Sequence, residues 1–351
     1  MKRITVVVTA RPSYSRVRSA LEAMSERPDV ELQIIAAASA IVVRFGRVVD
    51  LIRQDGFNVV AEVPCCVEGD AELETAITTG LLTTQLATLF DSLQPDMVVT
   101  IADRHETLAT AVAASYQHIP LCHIQGGEIS GSIDDKVRNA VTQLADIHLV
   151  ATAGAARRVV AIRPGAQVHV TGCPSIDLAA AALREGPLPG HDVVVLQHPV
   201  SGETSAAPEQ IKATIEALKG KDVLWFWPGD EAGNSAMCKE MRLAGLKPVR
   251  NMAPLEFLRT LLGSGVLVGN SSVGIRECSF MGVPVINIGT RQTGRERGPN
   301  VLDVWYSAES IRAAVELAKS AEPPLNKLYG DGKAGERIAG ILAGAAVEMV
   351  A

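Results

Sequence analysis

Ile119-Pro120-Leu121-Cys122-His123-Ile124-Gln125-Gly126-Gly127-Glu128-Ile129-Ser130-Gly131-Ser132-Ile133-Asp134-Asp135 runs from an apolar strand pattern into a polar, glycine-rich loop. A helical pattern then starts near Lys136. A loop that follows a strand and opens a helix lies at the carboxyl edge of an open α/β sheet, where ligands bind. A second pair of polar runs has the same character: Gly269-Asn270-Ser271-Ser272-Val273-Gly274-Ile275-Arg276-Glu277, then Asn287-Ile288-Gly289-Thr290-Arg291-Gln292-Thr293-Gly294-Arg295. One such loop in each half predicts two domains that share one ligand.

Working outward, short β-branched runs alternate with longer helical ones. Strands are expected at Ile4–Val8, Glu31–Ala36, Val59–Val63, Asp96–Ile101, Leu121–Ile124, Ile147–Val150 and Val168–Val170. In the second half they are expected at Val193–Leu196, Val223–Trp227, Pro248–Arg250, Val266–Val268 and Val283–Ile288. Helices are expected at Ser15–Met24, Glu72–Leu93, Glu106–Tyr116 and, at the end, Glu336–Met349. Apolar runs without polar alternation suit parallel strands covered on both faces. The expected fold class is α/β, with two doubly wound Rossmann-like domains. Their expected extents are residues 1–183, joined by the last helix at 336–351, and residues 191–335. The Pro- and Gly-rich stretch Arg184–Gly190 forms the break.

The 351 residues favour two domains over one core. The chain is 47% hydrophobic and 21% charged, the balance of a globular enzyme rather than a disordered protein. A net charge of -6 and 4% aromatics argue against a nucleic-acid partner. No apolar run reaches the roughly 20 residues that cross a bilayer, so no membrane partner is expected. Met1–Val8 reads as a first strand rather than a signal peptide, and the expected location is cytoplasmic. Of six cysteines only Cys65 and Cys66 are close in sequence, a spacing that suits neither zinc nor a redox pair.

Candidate chemistry gathers at strand ends. In Thr9-Ala10-Arg11-Pro12-Ser13-Tyr14-Ser15-Arg16, Pro12 and the hydroxyls suit a helix N-terminus that favours anions, and Arg11 adds charge. A capped surface turn explains the same residues equally well. Asp103, Arg104, His105 and Glu106 follow a strand; a charged helix start explains Glu106 better than it explains Asp103. In the opening segment Glu128, Asp134 and Asp135 are acids and Gln125 is a buried-amide candidate. Asp134 also suits a cap for a helix from Asp135 onward, and His123 also suits a satisfied core histidine. Gly126-Gly127 lets the backbone come close to a ligand. In the second half His198 ends a strand, as does Pro228-Gly229-Asp230. A turn histidine is an equal reading of His198. Asn270, Ser271, Ser272 and Gly274 open a helix able to cradle phosphate oxygens, and Glu277 is placed to accept from ribose hydroxyls.

Together these motifs resemble the hydrolysing UDP-N-acetylglucosamine 2-epimerases, the sialic-acid-pathway branch of the nucleotide-sugar 2-epimerases. The resemblance rests on Asp103-Arg104, His123 through Arg138, Thr171 through Asp177, Gln197-His198-Pro199, Gly269 through Glu277 and Asn287 through Asn300. It implies a GT-B fold with a nucleotide cleft and a last helix that crosses back to the first domain. It implies removal of the C2 proton, loss of UDP to leave a 2-acetamidoglucal, and hydration to free N-acetylmannosamine. Carboxylates handle the protons and preorganised donors receive the leaving diphosphate. By position it assigns catalysis to Asp103 and Asp134, with Asp135 beside them and Glu128 in the same segment. It places Arg11, Arg104 and His198 near phosphates, and Ser271, Ser272, Glu277 and Arg291 at the nucleotide, with Gln292 following. It calls for no metal or redox cofactor, for a nucleotide-sugar substrate, and for a homodimer or homotetramer.

The chain departs from that pattern at Gln125, where the family has a glutamate, at Ser13, where it has an acid, and at Ala102, where it has a glycine. Gln takes no proton at neutral pH, so a general-base role at this position is lost. Three readings follow: other acids carry the proton work, the hexosamine differs in its 4- or 6-substituents, or a different cleavage runs. Two rivals stand beside them. A GT-B glycosyltransferase would need an acceptor, and a non-catalytic nucleotide-sugar binder would bind without turnover.

Overall fold

The computed structural model describes residues 1–67, 72–130, 133–200, 202–229, 231–250, 252–318 and 320–344. The apolar runs form two all-parallel sheets. The first contains β1 (Lys2–Val8), β2 (Val30–Ala37), β3 (Val59–Val63), β4 (Met97–Ile101), β5 (Leu121–Ile124), β6 (Ile147–Val150) and β7 (Gln167–Val170), in the order β3-β2-β1-β4-β5-β6-β7. The second contains β8 (Val193–Leu196), β9 (Val223–Trp225), β10 (Val266–Gly269), β11 (Val285–Ile288) and β12 (Val301–Val304), in the order β12-β11-β10-β8-β9.

Strand order reverses between β1 and β4 in the first sheet and between β8 and β10 in the second. Such reversals send the flanking loops apart and leave a crevice at the carboxyl edge. The loops carrying Arg11 and Asp103 flank the first reversal, and those carrying His198 and Asn270 flank the second.

Both faces of the first sheet are covered, so the central strands β4 and β5 are buried along their whole length. On one face Ile4, Val6 and Val8 of β1 join a core with Leu21, Met24, Ile338, Ala339 and Leu342. On the other, Val7 meets Leu82, Leu86 and Phe90 of helix Glu72–Leu93. The second sheet has its own core, from Val193, Val195, Val266, Val268 and Ile286 to Ile211, Met237 and Ile311.

The chain packs into two compact units. The first takes Met1–Glu128, Ile133–Asp177 and the residues from Gly330 onward; the second takes Ile129–Ser132 and Leu178–Tyr329. The helix Ala334–Gly344 belongs to the first unit, and its opening amides are capped by Asp177, whose carboxylate accepts from Ala334 N at 2.9 Å, Gly335 N at 2.7 Å and Ser19 Oγ at 2.7 Å. The rest of the expected last helix, residues 345–351, lies outside the described residues.

Local expectations need four corrections. The helix expected at Ser15–Met24 is two, Arg11–Ser15 and Arg18–Ser25. The first starts after Ala10 with no side-chain cap, and Ser15 Oγ bonds within it, to Pro12 O at 3.0 Å. Pro248–Arg250 is no strand, because Pro248 has no amide to donate; only Val249 bridges to Phe226. The half-exposed edge strand β12, interrupted by Asp303, is not among the expected strands. Finally, the helix after the opening segment is Ile133–Leu144, so Asp134 sits inside its first turn rather than capping it.

Candidate functional site

At the carboxyl edge of the first sheet, β4 and β5 each end in a left-handed residue that is not glycine: Ala102 at φ 68° and Gln125 at φ 67°. Such a backbone costs of the order of 1–3 kcal/mol and persists where the surroundings demand it. Here neighbouring strands hold both turns, through Ala102 N to Ile124 O and Gln125 N to Leu149 O, each 2.9 Å. The turn at Ala102 explains why a glycine suits this position.

Arg138 organises this edge. Its side chain is 0% exposed. It donates to the carboxylates of Asp103 and Asp135 and to Glu128 O, the last at 2.6 Å. Burial alone would lower its affinity for its proton, but Asp103, Glu128 and Asp135 outweigh that and raise it. The cation in turn favours the ionised form of its acidic partners. Glu128 is itself buried, and Asp134 lies beside Asp135 in the first turn of the same helix. In the sequence Arg138 is only the last residue of the motif, and its central position does not show. The available signal was its spacing: Arg138, Val141, Thr142 and Ala145 fall on the one buried face of the helix and its end.

Gln125 lies apart from that ion-pair cluster. It is 2% exposed, and its Nε2 donates to Cys173 Sγ at 2.8 Å. His123 is a core histidine: fully buried, with Nε2 donating to Ala102 O at 2.8 Å, it supports the turn before Asp103. Burial pushes it down to about 4, and the neighbouring buried His148 down to about 3, so both rings stay neutral. Glycine is required at Gly126 and Gly127 by packing. A side chain would come within 2.9 Å of His123 Nδ1 at the first and 2.2 Å of Ala155 O at the second.

The flanking basic residues are placed as follows. Arg104 holds the buried carboxylate of Glu106 through Nε and Nη2, both at 3.1 Å, which makes Glu106 an anchor for this arginine. Arg11 opens the first helix, and burial weakens its hold on its proton. Ser13 is buried, its hydroxyl 3.5 Å from that of Thr9.

At the second sheet's edge Asn270 clasps His198 across the strand reversal: Oδ1 accepts from His198 N at 2.7 Å and Nδ2 donates to His198 O at 2.8 Å. His198 Nδ1 accepts from Gly229 N at 2.9 Å, so the neutral ring carries its proton on Nε2 and offers a donor there. Arg291 donates to Asn270 O at 3.2 Å and to Glu231 Oε1 at 2.7 Å, and Gln292 donates to Asn270 O at 2.8 Å. Thus Arg291 and Gln292 meet His198 through Asn270. Ser271 caps the short helix Ser272–Ile275, with Val273 N at 3.5 Å, and Glu277 opens the next, Glu277–Met281. Gly274 is a packing position, since a Cβ there would lie 2.7 Å from Val285 Cγ1 of β11. Asp230 lies outside the described residues. Sequence reasoning missed Glu231 and the buried Arg276 and Arg295, of which Arg276 stacks 5.7 Å from the Tyr329 ring.

Among the described residues, no group of three or more His, Cys, Asp or Glu is arranged to hold a metal ion, and no helix is long and apolar enough to cross a membrane. The edges thus differ in chemistry. The first offers carboxylates organised by one cation, suited to moving protons. The second offers a neutral histidine, amides, hydroxyls and an arginine, suited to oxyanions.

Comparison with known proteins places the chain in a family. The profile of the family described as UDP-N-acetylglucosamine 2-epimerase matches residues 22–343. A UDP-N-acetylglucosamine 2-epimerase of Neisseria meningitidis serogroup B is 27% identical over 340 residues, 91% of this chain and 88% of its own. A hydrolysing UDP-N,N'-diacetylbacillosamine 2-epimerase of Legionella pneumophila is 28% identical over 357 residues, 96% of this chain and 94% of its own. The Methanocaldococcus jannaschii UDP-GlcNAc 2-epimerase, solved in complex with UDP-GlcNAc and UDP, superposes with a TM-score of 0.81 at 17% identity, covering 97% of this chain and 99% of its own. That likeness extends the two-unit α/β fold, of GT-B type, over the whole chain. By fold and by sequence, the chain belongs to the UDP-N-acetylglucosamine 2-epimerase family.

Proposed function

We propose that this chain is a hydrolysing nucleotide-sugar 2-epimerase, acting on a UDP-linked 2-acetamido hexosamine and releasing UDP and the free C2 epimer. The observation that carries this reading is the carboxylate cluster around Arg138. Binding alone, or transfer to an acceptor, needs no such set of acids. The Legionella relative, a hydrolysing UDP-N,N'-diacetylbacillosamine 2-epimerase, supports both the hydrolysing reading and a hexosamine changed at C4 and C6.

In this mechanism Asp103, kept ionised by Arg138, takes the C2 proton. The anomeric C–O bond breaks, its electron pair leaves with the diphosphate, and a 2-acetamidoglucal remains. The Nε2–H of His198, Arg291 and the amides around Ser271 stabilise the leaving diphosphate. Water then adds across C1=C2: the hydroxyl joins C1, and a proton reaches C2 from the other face. Asp134, Asp135 and Glu128 are the groups assigned to that second proton transfer. Gln125 has no titratable proton and acts as a polar contact.

The test is proton NMR of the protein with UDP-N-acetylglucosamine in deuterium oxide. Expected products are UDP and N-acetylmannosamine deuterated at C2. A 4-acetamido-6-deoxy nucleotide sugar, run in parallel, reports the hexosamine preference. A product that keeps its nucleotide would mean a non-hydrolysing epimerase. Release with unchanged C2 configuration would overturn the reading.

A further inference from the structure

The family's acid is replaced here by Gln125, and its amide is not left to rotate. Nε2 donates to Cys173 Sγ at 2.8 Å, and Cys173 Sγ lies 3.0 Å from Ser175 Oγ. Gln125, Cys173 and Ser175 are 2%, 0% and 2% exposed. The backbone is equally constrained, left-handed at φ 67° with its own amide bonded to Leu149 O at 2.9 Å. Yet Oε1 of this side chain is buried and has no hydrogen-bond partner among the described residues. A buried carboxamide oxygen without a donor costs roughly 1–3 kcal/mol. A protein that pins one end of the amide and leaves the other unsatisfied has reserved that oxygen for something that enters. Gln125 stands at the same sheet edge as Asp103, one strand away.

We propose that Cys173 is a positioning residue that fixes the Gln125 carboxamide with Nε2 inward, so that Oε1 is the acceptor that reads an N–H or O–H donor on the sugar of the nucleotide-sugar substrate. The sulfur suits this task. It accepts from Nε2, while its own S–H is able to donate onward to Ser175 Oγ, so the relay runs in one direction. An acid at position 125 would transfer protons; a pinned amide discriminates. The chemistry gained is selectivity for a sugar bearing a donor at the position that Oε1 meets. This inference rests on the proposed nucleotide-sugar substrate.

The test compares two ligands that do not turn over: UDP, and the phosphonate analogue of UDP-N-acetylglucosamine, whose anomeric C–P bond prevents loss of UDP. Their affinities are measured by calorimetry on the wild type, Cys173→Ala and Cys173→Ser, with circular dichroism as the check on folding. The wild type is expected to bind the analogue more tightly than UDP. Cys173→Ala should lose about tenfold in affinity for the analogue and leave UDP unchanged, because UDP has no sugar to read. Cys173→Ser, which keeps an acceptor and a donor in place, should recover most of that loss. Equal losses for both ligands, or a serine variant no better than alanine, would make Cys173 a packing residue and overturn the proposal. A wild type that binds the analogue no more tightly than UDP also overturns it. The deuterium experiment then reports separately whether the epimerase reading stands.

Discussion

At the carboxyl edge of the first sheet, charge is concentrated and enclosed: a fully buried arginine holds Asp103 and Asp135 and the backbone of Glu128. At the corresponding edge of the second sheet, Asn270 clasps His198 by two hydrogen bonds, and Arg291 is half-buried and bonded to a carbonyl and to Glu231. In the proposed reaction, the difference lets one α/β plan serve two tasks. Moving a proton requires groups that change charge, held by a counter-charge that sets their ionisation. Receiving a diphosphate requires donors already in position that change nothing. Damage to the first edge should therefore appear in turnover and in stability. Damage to the second should appear in nucleotide affinity.

The largest expected effect is that of Asp103→Asn, which keeps the shape and removes the proposed base. Its kcat should fall by about 10²- to 10⁴-fold while UDP affinity holds; a parallel loss of UDP binding would blur the division of labour. Arg138→Met comes next. Breaking a buried ion pair by removing one partner costs roughly 3–5 kcal/mol, because the carboxylates are left without their counter-charge. The urea midpoint should drop accordingly, and a midpoint within error of the wild type would refute the central role given to Arg138. Asn270→Ala removes two hydrogen bonds and should cost about 1–3 kcal/mol, read mainly as a weaker Kd for UDP at nearly unchanged kcat.

Acidification sharpens the same contrast. His123 and His148 are neutral in the folded protein, held at about 4 and about 3, while the unfolded chain takes up protons near the ordinary value of 6.5. The unfolded state binds more protons throughout that interval, so stability should fall as pH drops below about 6.5 and go on falling towards 4 and 3. Thermal melts between pH 7 and 4 check this. Replacing the neutral buried pair should flatten the dependence. The smallest effect is that of Ser271→Ala. Its cap to Val273 N is long, at 3.5 Å, so stability should change by no more than about 1 kcal/mol.

Much of this was legible in the amino-acid order. Parallel strands buried on both faces need not alternate, so β8 and β10 appear as unbroken apolar runs, β1, β4 and β5 as apolar runs broken at Thr5, Thr100 and His123, and polar residues massed at their ends mark the carboxyl edges. The acids of the opening segment and the Asn270–Ser271 turn are visible for that reason. The edge strand β12, half-exposed and interrupted by Asp303, is not, and Pro248–Arg250 imitates a strand it cannot complete.

What only the tertiary structure decided are partnerships between residues far apart in the chain. Sequence shows Arg138 as one charge among many on a helix; folding places it beside Asp103, 35 positions away. Gln125 reads as a departure from a family pattern; folding shows it gripped by Cys173, 48 positions away. Local propensity and periodicity act over a few residues, and so they determined the elements and their edges. Ionisation, hydrogen-bond satisfaction and burial depend on which loops the sheet order brings side by side, and no local pattern in the chain contains that.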